Sequence, residues 1–241
     1  MKRGFLLAAC LALAACGGGD KPGARPLTQE EASRLAETMF LNHREGRATF
    51  EVATLTEPGG SRLRLAGTVD WSARSGAARV VVDGGTGTLA AVAWGSETVA
   101  ERRPVHDGLL AGLGLPQGAW IGRPVDQRRR IDQVIAVVTG LAASRPENAV
   151  LIQQQAGSVF LRSDTLRGTE VEVVRYGERS IYWIDPVSGR MLRFEGNNSA
   201  GTLPVVVDFG QEIADQVVPP VVAQIVDVGT KPDLAALLEG L

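Results

Sequence analysis

The stretch Arg62-Leu63-Arg64-Leu65-Ala66-Gly67-Thr68-Val69-Asp70-Trp71 alternates apolar and polar side chains with a period of two, which is the signature of a strand with one dry and one wet face. Leu63, Leu65, Val69 and Trp71 point one way, and Arg62, Arg64, Thr68 and Asp70 the other. A half-wet strand of this kind belongs in an antiparallel sheet, and the flanking sequence supplies neighbours. Residues 47–57, 61–73, 77–83, 88–95 and 97–102 read as strands, divided by Pro58-Gly59-Gly60, Ser75-Gly76 and Gly84-Gly85, which favour tight turns. A second series follows at 158–164, 169–176, 180–185, 190–195 and 202–209. Within it Asp185-Pro186-Val187-Ser188-Gly189 reads as a hairpin turn, the proline presetting one position and the glycine accepting the left-handed one.

Two helical regions interrupt this pattern. Thr28 and Glu31 form a capping box behind Leu27, and Ala32, Leu35, Ala36, Met39, Phe40 and His43 recur on one helical face, with an end expected near Gly46. Between Pro104 and Gln155, Ile131, Val134, Ile135, Val138, Leu141 and Ala142 repeat at helical spacing behind a polar turn at 126–130. Ser144 and Glu147, with Pro146 between them, are expected to cap another helix. Helices set apart from a meander define an α+β fold. The expectation is a single curved antiparallel sheet, a half-barrel of about ten strands, with its concave face covered by the N-terminal helix and the mid-chain insert.

The N-terminus carries an address. Lys2 and Arg3 precede an uncharged run from Phe5 to Ala15, closed by Leu13-Ala14-Ala15-Cys16, a secretory signal with a processing site that resembles the bacterial lipobox. Leu7-Ala8-Ala9-Cys10 fits the same pattern, but it leaves an apolar core shorter than the roughly 7–15 residues that a signal needs. Residues 1–15 are therefore read as a lipoprotein signal peptide and 16–26 as a lipidated cysteine with a glycine-rich flexible tether. Residues 27–241 form the folded domain. Acyl groups at Cys16 would hold it at the extracytoplasmic face of the cell membrane.

Charge and composition exclude several classes. The chain has 25 Lys+Arg against 27 Asp+Glu, a balance with no electrostatic case for nucleic acid. With Cys10 removed and Cys16 acylated, no cysteine remains for a disulfide, a nucleophile or a zinc site. His43 and His106 are the two histidines; His106 neighbours Asp107 only in sequence, and no nucleophile elbow is present. No enzymatic activity, metal or cofactor beyond the covalent acyl groups is expected. Gly84-Gly85-Thr86-Gly87-Thr88 lacks the lysine of a phosphate loop and reads as a strand connection. Arg128-Arg129-Arg130 reads as a solvated helix face, with anionic headgroup binding as the functional alternative. Asn197-Asn198-Ser199 reads as a polar turn.

The element order, the hairpin Tyr182-Trp183-Ile184-Asp185-Pro186-Val187-Ser188-Gly189, and the ending Val207-Asp208-Phe209-Gly210 with Pro219-Pro220 and Ile225-Val226-Asp227 resemble the LppX/LprG lipoproteins of actinobacteria. These share the fold of the lipoprotein carrier LolA and its membrane-anchored partner LolB. The resemblance spans most of the mature chain and implies a lidded half-barrel with an apolar cavity for acyl chains, used to carry lipids or lipidated molecules across the envelope. The valine-rich segment 203–226 and the tail 231–241 depart from that pattern.

An acyl-chain site is concave and mostly apolar with a few polar groups at its rim. Leu63, Leu65, Val69, Trp71, Ala91, Ala93, Trp94, Ile131, Val134, Ile135 and Val138 are the expected lining. Small residues Gly67, Ala91, Ala93 and Gly95, interleaved with Trp71 and Trp94, are expected to leave room. The plainer reading is a dry core, since interiors pack densely. Two functions follow. One is a monomeric lipid-binding and transfer lipoprotein, with a lipid or lipidated ligand and a membrane transporter as the kinds of partner. The other is a solid-cored module that docks on a membrane protein or senses envelope state.

Overall fold

The computed structural model describes residues 23–83, 90–116, 118–198, 201, 203–221, 224–230 and 234. The signal peptide, Cys16, the tether up to residue 22, the Gly84-Gly85 connection, and the tail apart from Leu234 lie outside the described residues. The chain runs β1 (Arg25–Pro26), α1 (Gln29–Glu45), β2 (Arg47–Leu55), β3 (Arg62–Asp70), β4 (Ser75–Val82), β5 (Ala90–Trp94) and β6 (Thr98–Arg102). It continues through α2 (Asp107–Gly112), β7 (Trp120–Pro124), α3 (Arg130–Gly140) and α4 (Ala149–Gln154). Strands β8 (Val159–Leu166), β9 (Thr169–Tyr176), β10 (Ser180–Ile184), β11 (Met191–Asn197), β12 (Pro204–Phe209) and β13 (Ile225–Asp227) complete it.

One 13-stranded sheet results, in the order β1-β8-β9-β10-β11-β12-β2-β3-β4-β5-β6-β7-β13. Each meander is sequential, and the two join where β12 returns to pair with β2, placing Val207 opposite Val52. All neighbours are antiparallel except β13, which runs parallel to β7. The strand count exceeds the expected ten because β1, β7 and β13 were not legible. Two of these are too short to show a period. The third, Trp120-Ile121-Gly122-Arg123-Pro124, contains a glycine and a proline and is buried on both faces, so it does not alternate.

Helix α1 begins as its capping signals predict. The Thr28 hydroxyl accepts from the Glu31 amide, and the Glu31 carboxylate accepts from the Thr28 amide at 2.8 Å. Arg25 Nη1 and Nη2 donate to the two Glu31 oxygens at 2.8 and 2.6 Å, so the cap is tied to β1. The buried stripe includes Ala32, Leu35 and Ala36 but continues through Thr38 and Asn42 instead of Phe40 and His43. Both polar groups are satisfied on backbone carbonyls: Thr38 Oγ1 donates to Gly189 O at 3.2 Å, and Asn42 Nδ2 to Leu141 O at 2.7 Å. Burial without an unpaired group then costs little.

The helix expected from a Ser144–Glu147 cap starts later. Asn148 is its N-cap, its side chain accepting from the Val150 and Leu151 amides. Glu147 serves elsewhere, its carboxylate accepting the Tyr176 hydroxyl at 2.8 Å and its amide donating to Ala36 O. Helix α2 was not anticipated, since a six-residue segment is too short for a helical period to stand out.

Two glycines fix how tightly the sheet can curl. A Cβ on Gly67 would sit 2.0 Å from Ala77 O, and one on Gly76 would sit 2.2 Å from Trp94 Cζ2. The first permits close approach of β3 and β4. The second leaves its side-chain volume to the Trp94 indole.

Ion pairing and the cap hold the Glu31 carboxyl at about 2, chiefly through its hydrogen bond to Arg25. The stability this contributes is complete above the ordinary carboxylate range and is lost as pH falls through about 2. Glu31→Gln is expected to cost roughly 2 kcal/mol at neutral pH and to flatten the loss of stability between pH ~4.5 and ~2, as measured by thermal unfolding across that range.

Candidate functional site

The concave face gathers most of the expected lining. Leu63, Leu65, Val69, Trp71, Trp94, Ile131, Val134, Ile135 and Val138 belong to one continuous apolar cluster, together with Leu35 and Ala36 of α1 and Phe50, Val207 and Phe209 of the sheet. The cluster is densely filled. Phe50 and Trp94 meet edge to face at 6.1 Å, and Trp71 and Phe209 at 5.7 Å, separations typical of favourable aromatic pairs.

Ala91 and Ala93 are not part of it. In β5 the residues Ala90, Val92 and Trp94 enter the interior, so the period of two sends Ala91 and Ala93 out through the opposite face. There Ala93 lies directly across from Ala77 and Ala100. The space expected from small residues exists, but on the outer surface. A groove of about 770 Å³, bounded by Ala77, Ala93, Ala100, Pro219, Pro220 and Ile225, runs between the sheet and the C-terminal segment.

Helix α3 is the part of the roof that lies over the expected lining. It is fastened at both ends by side chains. At its C-terminal end the Trp71 indole donates to Val138 O at 3.0 Å and Asn42 to Leu141 O at 2.7 Å, which satisfies carbonyls that a helix end leaves open. At its N-terminal end Asp132, fully buried, accepts from Arg123 Nη1 and Nη2 at 2.7 Å each and from the Asp126 amide at 2.6 Å. Arg123 also donates through Nε and Nη2 to Glu101 Oε1 at 3.0 and 2.6 Å, and Arg103 donates to Glu101 Oε2 at 2.9 Å. Burial opposes the Arg123 charge, but its contacts with Asp132 and Glu101 outweigh that opposition and raise its pKa above the usual arginine value. Gln133 accepts from Asn198 Nδ2 at 2.6 Å and completes the attachment.

This buried ionic group was missed in the sequence, although a signal was there. Arg123 follows the apolar Ala119-Trp120-Ile121-Gly122, and Asp132 sits between Ile131 and Val134 on the apolar-periodic helix. Charges in such positions need buried partners. The arginine run also resolves into separate roles instead of one solvated face. Arg128 is exposed and pairs with Asp126, Arg129 reaches toward Glu101, and Arg130 donates to Thr56 O and Gln133.

Between α3 and strands β5 and β6 a pocket of about 170 Å³ remains, walled by Trp94, Val99, Val125, Ile135, Ala136 and Thr139 and opening to the surface past the exposed Arg74, Ser96 and Gln127. It lies along the edge of the helix that roofs the expected cleft.

No family model and no curated protein matches the chain. Solved structures similar to it include an uncharacterized conserved protein from Thermus thermophilus, at 10% identity and TM-score 0.37, covering 83% of this chain and 96% of that one. The MucA/MucB complex of Pseudomonas aeruginosa is similar at 13% identity and TM-score 0.35, covering 78% of this chain and 59% of the other. The chain thus spans about three fifths of the length of that structure. A domain from Vibrio parahaemolyticus described as of the outer membrane lipoprotein-sorting kind is similar at 10% identity and TM-score 0.28, covering 79% of this chain and 95% of the other. These likenesses concern fold and carry no activity across.

Replacing Arg123 by Met is expected to leave the buried Asp132 carboxylate without a cation, while Glu101 keeps Arg103, and to destabilise the domain by about 3–5 kcal/mol. Urea unfolding of the two proteins measures this directly.

Proposed function

We propose that this chain is a lipid-anchored extracytoplasmic protein whose roofed half-barrel takes up the acyl part of a lipid or lipidated molecule and passes it on close to the membrane. One observation carries the reading: a continuous apolar concave surface is covered by a helix, α3, which side chains fasten to the sheet at both ends. A layer held in this way can lift as a unit, whereas a strand would have to break a ladder of backbone bonds. The apolar interior is filled, and the 170 Å³ pocket at the edge of α3 is the space from which a larger cleft would grow. Ligand pockets are commonly about 300–1,000 Å³, so entry of an acyl chain requires α3 to move outward. Acylation of Cys16 keeps the domain at the surface from which such a ligand is drawn. A membrane transporter is the kind of protein to which it would hand the cargo.

The filled interior favours a second reading, a module that docks on a membrane-protein partner and holds no lipid. Val105, Leu109 and Leu113, spaced four residues apart around α2 and exposed by 75%, 57% and 46%, would then be the first place to seek contact.

Native mass spectrometry of the full acylated chain separates the two, because covalent acyl groups and a retained lipid differ in whether denaturation releases them. Lipid uptake predicts releasable lipid, and Ala136→Leu, which fills the pocket at the edge of α3, is expected to lower it several-fold with little change in melting temperature. Bare polypeptide from a native-like host would defeat the lipid reading. Cys16→Ser is expected to abolish acylation, read as loss of labelled fatty acid from the purified chain.

A further inference from the structure

Between β6 and β7 the chain leaves the sheet for residues 104–116, which contain α2 and divide their apolar side chains between two sides. Leu110 is fully buried against Ala119, Ile121 and Leu234, with Leu115 beside them. Val105, Leu109 and Leu113 follow one another at intervals of four residues and are all exposed, so Leu109 and Leu113 lie one turn apart on the solvent side of α2. Single exposed apolar side chains are ordinary on a protein surface, but three at this spacing mark a contact. The packing of Leu110 holds them outward, because the helix cannot roll to bury them without exposing Leu110 in turn.

Charge and shape narrow what meets this surface. Residues 104–116 contain no Lys or Arg and one acidic side chain, Asp107, which is half-buried and accepts the Gly118 amide through Oδ1 at 3.2 Å. Neither the outer-face groove nor the pocket at the edge of α3 is lined by the segment. A protein interface ordinarily surrounds its apolar centre with a polar rim rich in hydrogen bonds. A bilayer interface requires no complementary shape and no directional bond, only apolar side chains that pass the headgroups. Arg102, at the root of the segment, is exposed and its guanidinium lies against Gly118, a charge of the sign that suits anionic headgroups. The bilayer is also close, since the chain from Cys16 to Arg25 spans at most about 30 Å.

We propose that Val105, Leu109 and Leu113 form a second membrane contact, which enters the interface of the bilayer that holds the acyl groups of Cys16. This rests on the lipid-anchored part of the reading above, and it adds what an anchor alone lacks. One point of attachment leaves a domain free to turn, and a second contact restricts its orientation. The segment joins β6 to β7, the strands whose Glu101 and Arg123 hold the N-terminal end of α3 through Asp132. With α2 on the bilayer, that end of the roofing helix is the one brought toward the membrane.

The test places the full acylated chain in vesicles of phosphatidylethanolamine with a minority of phosphatidylglycerol, brominated near the headgroup end of the acyl chains, and measures tryptophan quenching. Trp71, Trp94, Trp120 and Trp183 are all buried, so the wild type supplies a low baseline. Leu109→Trp reports on α2, and Val187→Trp, at the turn between β10 and β11 and 94% exposed, reports on an exposed apolar site elsewhere on the same anchored domain. The expected result is quenching about threefold or more greater for Leu109→Trp than for Val187→Trp or the wild type. Leu113→Trp reads the same face should Leu109→Trp fail to fold. Equal quenching of all three chains, while they float with the vesicles, overturns the contact and leaves the lipid-anchored reading standing. Quenching of Leu109→Trp that appears only after residues 235–241 are deleted makes the tail the occupant of this face and likewise overturns the contact. A chain that does not float with the vesicles overturns both readings.

Discussion

Arg123 ties three parts of the molecule together through one buried cation. From β7 it reaches Glu101 on β6 and Asp132 on α3, so the edge of the sheet and the start of the roofing helix share a single charge. An apolar residue in its place would leave the N-terminal end of α3 held by Gln133 and by Leu, Val and Ile side chains that offer little directional preference. The bidentate contact with Asp132 gives a fixed orientation that hydrophobic burial cannot. With Trp71 and Asn42 at the other end, it sets how α3 lies over the strands beneath it.

Most of the fold was legible because its signals are local. The Thr28–Glu31 box, the alternation from Arg62 to Trp71 and the turn at Asp185–Gly189 each act within a few residues, and each element formed where it was expected. Strands β1 and β13 exist only because distant strands offer an edge, and nothing in Arg25-Pro26 or Ile225-Val226-Asp227 encodes this. The same limit governs the site. The inward faces of β3 and α3 could be read from their periods, but Ala91 and Ala93 were assigned to the wrong side of the sheet. The error is one of parity: they alternate with Val92 and Trp94, and a residue cannot share a face with its immediate neighbour in a strand.

The interior shows how polar and apolar demands are divided in a roofed sheet. Along the strands the concave side is almost wholly apolar, while the bonds that hold α3 are gathered at its two ends. Asn42 and Trp71 close one end from α1 and the end of β3, and the Arg123 group closes the other from β6 and β7. Between them the contact is dispersion and burial alone, which is non-directional and reforms after displacement.

The two-residue strand β1 gives the domain a mechanical property. The chain upstream of Arg25 enters the fold through the pairing of Arg25 and Pro26 with Phe160 and Val159 on the sheet's outermost long strand. Arg25 also grips Glu31 at the start of α1. Tension applied to the N-terminus is thus delivered to one short clasp, shared between a sheet edge and the first turn of a roofing helix. It does not act on the central strands. Under load the clasp is the part that yields first, and its release would free the N-terminal end of α1 while the joined meanders stayed intact.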